Sequence, residues 1–261
     1  MGTVYKALEL LDLFTRLRPR IGLSEVARLS GQNKATCHRL LTELEQFGFV
    51  EQRPDTREYR LGPAFLRFAA LREAEAPMRD VTRPILQRLA ETVGESVHSS
   101  MLIADRLQMI DFVYSTRHGT RVMLDDADTL PFHATSSGLA VLPHLPQAFQ
   151  DRILAGPLPA VTEHTETDPA RLRQRIEAAR RAGWAEVASG FEADVVGLAV
   201  PLFGPRGECL GAVASVVPVS RLTPDLRRTI LKELTASATE ITHLCGGVPP
   251  VEIEKLWRAV A

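Results

Sequence analysis

The sequence predicts an α+β protein in two parts, a small winged helix-turn-helix followed by a larger domain of antiparallel strands and helices. Three observations predict it. The chain has 261 residues, a length that suits two domains better than one. Residues 1–72 hold 12 Lys and Arg against 8 Asp and Glu, whereas the rest hold 19 against 24. A basic first quarter on an acidic body suits a small part that meets a polyanion and a large part that does not. Finally, the first quarter reads helix, helix, basic helix, hairpin.

The elements follow in order. Residues 4–17 carry Val4, Ala7, Leu8, Leu11 and Phe14 at helical spacing, with Leu10, Leu13 and Leu17 beside them. That stripe is broad enough to face two neighbours. Ser24 can cap a second, short helix ending near Gly31. Asn33 can cap a third over residues 34–47, whose apolar positions Cys37, Leu40, Leu41, Leu44 and Phe47 share one face. The opposite face is centred on Ala35, Arg39 and Thr42, flanked by Thr36 and His38, with Lys34 at its N-terminal edge. A helix entering a major groove needs such a face, small enough to approach and able to read base edges. An ordinary solvated face would look similar in isolation, and the neighbouring elements decide against it. Ser24 joins these positions as a DNA-contact candidate at the start of the second helix. Residues 49–53 and 57–61 form a hairpin with Arg57 near its tip, placed for phosphate or the minor groove.

Residues 63–76 read as a connecting helix, with Pro77 at the boundary. A helix to about residue 92 and strands over 96–103 and 107–113 follow. Residues 115–130 look irregular, and a short helix opens near residue 136. Helices at 146–154 and 169–182, strands near 184–188, 195–203 and 208–217, and a helix over 224–243 complete a sheet with helices packed on it. Gly246-Gly247 and Pro249-Pro250 predict a tail over 247–261 detached from the last helix and dispensable for DNA binding, with Trp257 able to dock on a neighbour.

Several stronger readings are weighed and set aside. Arg171, Arg173, Arg175, Arg180 and Arg181 fit a solvated helix face better than a second nucleic-acid surface. Asp125, Asp126 and Asp128 lack the spacing of a calcium loop. His133 near Ser136 and Ser137 has no nucleophile elbow and no evident acid, so no catalytic residue is assigned. Cys37, Cys209 and Cys245 are too few and too scattered for a metal cluster or a disulfide framework. Neither a cofactor nor a metal is expected. No apolar run approaches the ~20 residues of a membrane span, and the opening residues do not read as a signal peptide, so the expectation is a cytoplasmic protein.

Five stretches occur in order: NKATCHRLLTEL (33–44), YRLG (59–62), LPFHAT (130–135), GLAVP (197–201) and PVSRLT (218–223). Together, across residues 3–246, they closely resemble the IclR family of bacterial transcriptional regulators. The resemblance implies a winged-helix DNA-binding domain (1–62), a linker helix (63–76) and a GAF-like effector-binding domain (77–246). It also implies homodimers or homotetramers on palindromic double-stranded operators, repressing or activating genes for the breakdown of small organic acids and aromatic compounds. In carboxylate-binding members, backbone N–H groups matching Ser136 and Ser137 hold the acid, which suits a helix start. Polar side chains complete the site at the positions of Val187, Gly197, Ala214 and Val216. This sequence departs at all four, and has Leu139 where lysine is common. The expected effector is therefore an organic acid with an apolar or aromatic body lying against Val122, Leu130, Val187, Ala214 and Val216. Gly197 and Ala214 are expected to leave extra room. A metabolite-binding protein or enzyme with an accessory helical domain is the alternative, and a protein-interaction scaffold a third reading.

Overall fold

A computed structural model describes residues 2–14, 18–75, 78–118, 122 and 129–260. The chain divides into two compact units, residues 1–77 and 78–261.

The first unit contains α1 (Thr3–Leu11), α2 (Leu23–Ser30), α3 (Lys34–Gln46), β1 (Val50–Gln52), β2 (Tyr59–Leu61) and α4 (Ala64–Glu75). Its core is built from Leu10, Ile21, Val26, Cys37, Leu40, Leu41, Val50 and Tyr59. The Asn33 side chain accepts from Thr36 N at 2.8 Å, satisfying one free N–H at the start of α3. Ser24 does not cap α2. That helix starts at Leu23, two residues earlier than a Ser24 cap would give, after an extended Gly22 with no side-chain cap. Phe47 also leaves the expected core face. α3 ends at Gln46 and Phe47 is exposed. Ile21 exchanges two backbone hydrogen bonds with Tyr59 and so adds a one-residue rung to the hairpin. The connecting helix α4 packs on the hairpin of this unit. Phe65 and Phe68 pack on Phe49 with ring centroids 5.5 and 5.6 Å away.

The second unit contains α5 (Met78–Val93), β3 (Ser96–Ile103), β4 (Arg106–Val113), α6 (Ser136–Val141), α7 (Gln147–Ala155), α8 (Pro169–Ala182), β5 (Ala185–Ala188), β6 (Val195–Phe203), β7 (Cys209–Pro218), α9 (Pro224–Leu244) and α10 (Val251–Val260). The strands form one antiparallel sheet in the order β4-β3-β7-β6-β5. β6 and β7 are buried along almost their whole length, because α6 and α9 both pack on them, while α5 packs on β3 and β4. Such strands lose the polar alternation of a half-exposed sheet. Glu95, beside β3, is buried and receives both Nε and Nη2 of Arg221 at 2.7 and 2.6 Å. This bidentate pair ties the start of β3 to the turn after β7.

The segment after residue 246 is not detached. Gly247 lies so close to Phe203 and Gly204 that a Cβ there would meet the Phe203 carbonyl at 2.3 Å. The two glycines therefore turn the chain tightly back onto the domain. α10 follows, burying Ile253 and Trp257 in the main core. The Trp257 Nε1–H donates to Gly183 O at 2.8 Å. Gly183 is the left-handed residue closing α8, at φ 76°, so the tail covers a helix end.

Trp257→Ala is expected to cost about 3–5 kcal/mol, as for other buried aromatic truncations, seen as a lower urea midpoint. Trp257→Phe keeps most of the packing and should cost only about 1 kcal/mol for the lost hydrogen bond. A midpoint unchanged by Trp257→Ala would show that α10 contributes nothing to the fold.

Candidate DNA-reading face and effector pocket

On α3, burial of Cys37, Leu40 and Leu41 turns the other side outward. Lys34, Ala35, His38 and Arg39 are exposed and Thr36 is half-buried. In the free protein the Arg39 Nη1–H donates to Glu43 Oε1 at 2.7 Å, one turn along the exposed face. The Thr42 hydroxyl donates to His38 O. Ser24 is exposed in the first turn of α2.

The hairpin is held open by a local network. Arg53 Nε and Nη2 reach the two Asp55 oxygens at 3.0 and 2.6 Å, which raises the Arg53 pKa and lowers that of Asp55. Arg57 N donates to Arg53 O, and Gln52 Nε2 donates to Arg57 O. Arg57 itself is exposed and left-handed, at φ 60°, a conformation unusual for a residue with a Cβ. The tip thus presents one guanidinium outward, while the other is held by Asp55.

The second feature is a cavity of about 520 Å³, its open mouth included, beside the start of α6. Strand register explains its floor. Val187, Gly197, Val216 and Ser96 stand in one row across the sheet. The next row holds Ala185, Ala199, Ala214 and His98. The turn before α6 settles on these rows, and Thr135 Oγ1 caps Gly138 N at 3.0 Å. Of the eight residues expected at an effector, Leu130, Ser136, Ser137, Val187, Gly197 and Val216 line the cavity.

Two of the eight do not. Ala214 is fully buried in the second row, where α6 packs across β7. Val122 packs against Val216 in a separate small cluster with Met109, Phe112 and Tyr114. The expected extra room at Gly197 is absent too, because a Cβ there would stand 2.5 Å from Ser136 Oγ. Glycine at 197 lets the helix start sit down on the sheet rather than enlarging the cavity.

Sequence reasoning missed His98, Phe191, Glu192 and Val195 in the lining. His98 is 4% exposed. Its Nε2 lies 3.1 Å from Ser137 Oγ, and its buried Nδ1 has no partner among the described residues. Burial lowers its pKa to about 4, so the imidazole is neutral. Phe191 and Glu192 come from the loop between β5 and β6. The hydroxyls of Thr162 and Thr165 hold that loop by donating to Ser189 O and Gly190 O. The strand alternation of 96–103 gave a signal for His98, but not which face would be covered.

Arg171, Arg173 and Arg180 each pair with a neighbouring carboxylate, and Arg175 donates to Glu186 O. The aspartates 125, 126 and 128 lie outside the described residues. His133 Nε2 contacts Pro159 O at 3.0 Å rather than a serine hydroxyl.

A helix-turn-helix with a wing, joined to a sensor domain with a pocket of this kind, defines a ligand-responsive regulator of transcription. Comparison with known proteins gives the family. Residues 3–54 match the IclR helix-turn-helix domain and residues 72–243 the bacterial transcriptional regulator IclR C-terminal domain. The chain belongs to the IclR family and is a DNA-binding transcriptional regulator rather than an enzyme. It is 50% identical to an IclR-type transcriptional regulator from Silicibacter sp. TM1040, with TM-score 0.90 over 97% of this chain and 99% of that one. It is 27% identical to the Pca operon regulatory protein of Acinetobacter baylyi, over 92% of this chain and 88% of the other. An IclR homolog from Microbacterium hydrocarbonoxydans, solved in complex with 4-hydroxybenzoate, is 26% identical with TM-score 0.55, covering 99% of this chain and 100% of that chain.

Gly197→Ala is expected to destabilise by about 1–3 kcal/mol through overpacking, with a smaller cost in a Ser136→Ala background. A double-mutant cycle in denaturant measures the coupling. Additive costs would show that the two positions do not press on each other.

Proposed function

We propose that this protein works in the cytoplasm as a homodimer or homotetramer on a palindromic operator, and that an organic acid with an apolar or aromatic body controls its grip on DNA. The observation that carries the DNA reading is the exposed start of α3, with Lys34, Thr36, His38 and Arg39 around the small Ala35. In this reading α3 enters the major groove, with Thr36, His38 and Arg39 nearest the bases and Lys34 on phosphate. Ser24 sits at the start of α2 where that helix approaches the backbone. Arg57 touches phosphate from the hairpin tip. Arg39 must exchange Glu43 for a base edge, and an exposed pair of this kind is worth well under ~1 kcal/mol, so the exchange is easy.

Two exposed apolar surfaces support self-association. Val4, Tyr5 and Leu8 on α1 are at least half exposed, as are Leu66 and Leu71 on α4. A symmetric pair doubles the sequence read by one module.

For the effector, the walls at Leu130, Val187, Val216 and Phe191 suit an apolar body. The N–H groups of Ser136 and Ser137, which no described group accepts from, suit its acid group. The relative solved with 4-hydroxybenzoate points the same way. A small, highly polar acid would leave unpaired atoms at about 1–3 kcal/mol each.

Arg39→Ala is expected to cost about 1–3 kcal/mol on the operator and to relax preference at one base pair. Arg57→Ala should weaken all DNA similarly and reduce the salt slope by about one unit. Unchanged affinity and preference in the first variant, or position-specific loss in the second, would overturn the placement. Light scattering should give a dimer or larger species, and a monomer bound tightly to a single half-site would refute the assembly. Calorimetry should detect binding of aromatic acids over short aliphatic ones. Tight binding of pyruvate with no response to aromatic acids would refute the effector class.

A further inference from the structure

His98 and Glu192 line the same cavity in opposite settings. His98 is on β3, 4% exposed, with Nε2 on Ser137 Oγ and Nδ1 buried without a partner among the described residues. Glu192 is exposed, on the loop between β5 and β6. The cavity therefore has a neutral hydrogen-bonding group at its buried end and a carboxylate at its mouth, with Val187, Val195 and Val216 between.

We propose that His98 is the buried polar partner of the effector and Glu192 its gate against a second acid, so that the pocket takes an aromatic monocarboxylic acid acid-end inward, with a neutral or hydrogen-bond-donating far end, and rejects dicarboxylic acids. This rests on the reading of the cavity as the effector site. A buried polar atom without a partner is costly and rare in proteins. A ligand oxygen that reaches His98 Nδ1 would give it the partner that no described residue supplies. The imidazole needs no charge for this, because the tautomer is free to follow the ligand. Desolvation at the mouth already raises the Glu192 pKa. A second carboxylate beside it adds like-charge repulsion in a partly water-excluded site, where the two charges cannot both stay ionised cheaply. A hydroxyl at that end donates to Glu192 instead. The pocket thus reads both ends of its ligand, and the walls read its width.

The test is calorimetry on the full chain with benzoate, 4-hydroxybenzoate and terephthalate, for the wild type, His98→Phe and Glu192→Gln, together with the thermal midpoint of each without ligand. The wild type is expected to bind 4-hydroxybenzoate at least as tightly as benzoate and terephthalate about tenfold or more weakly, the scale of one strong polar interaction. Glu192→Gln should close most of the terephthalate gap. His98→Phe should weaken both monoacids about tenfold or more, and some fall in the thermal midpoint is expected with it, because the Nε2 contact to the Ser137 hydroxyl is lost together with the unpartnered Nδ1. Unchanged monoacid affinity in His98→Phe overturns the His98 assignment, and so does a lowered midpoint with affinity intact, which marks a structural histidine. An unchanged terephthalate gap in Glu192→Gln overturns the gate. Should the wild type take pyruvate but no aromatic probe, the aromatic reading falls, and pyruvate against malonate in the same variants decides His98 and Glu192. Binding of none of the five acids overturns both the acid site and this proposal.

Discussion

The effector domain depends on one close approach, the seating of the turn over residues 131–138 on the sheet. Gly138 folds back so tightly that a Cβ would lie 2.4 Å from the Phe132 backbone. Gly190 meets Ala134 O, and Gly197 meets the Ser136 side chain, at distances no Cβ tolerates. Small residues at Ala199 and Ala214 let α6 sit down beyond them. Close packing of this kind transmits small displacements. A ligand that moves Ser136 by a fraction of an ångström presses directly on β6. The same approach brings Ser137 within hydrogen-bond reach of His98, so the shape of the pocket and its polar chemistry have one origin.

The DNA-binding unit is organised by a different device. Asn33 caps α3 and fixes where that helix begins, which in turn fixes which residues face out. Cys37, Leu40 and Leu41 then lock the rotation of the helix about its axis. The outward residues are held only by exposed pairs such as Arg39–Glu43, and these cost little to exchange. Charge is divided along the chain in keeping with this. Lys34 and Arg57 of the first unit are exposed, where phosphate can meet them, whereas on α8 Arg171, Arg173 and Arg180 are each matched by a carboxylate.

Much of this was legible in the sequence because periodicity reports burial directly. The face of α3, strand 96–103 and helix 169–182 follow from spacing and caps alone. What failed depends on tertiary context. Ser24 resembles a helix cap, yet Gly22 begins α2, since an extended glycine before the helix serves without a side chain. Gly246-Gly247 reads as a break, and only the proximity of Phe203 turns it into a tight return that docks Trp257. Six of the eight residues expected at an effector line the cavity, because the strand rows at Val187, Gly197 and Val216 follow from alternation. Ala214 sits one row further along the sheet, and Val122 packs on Val216 without lining the cavity itself. His98 was missed because alternation assigns it to a face without saying that the pocket opens there.

The central claim is that α3 reads a specific, two-fold symmetric DNA sequence. Sequencing random DNA fragments retained by the purified full-length protein tests it most directly. The account predicts enrichment of one inverted repeat, with half-sites spaced by about one helical turn of 10–10.5 base pairs or a multiple of it. Retention of fragments with no shared sequence would contradict it.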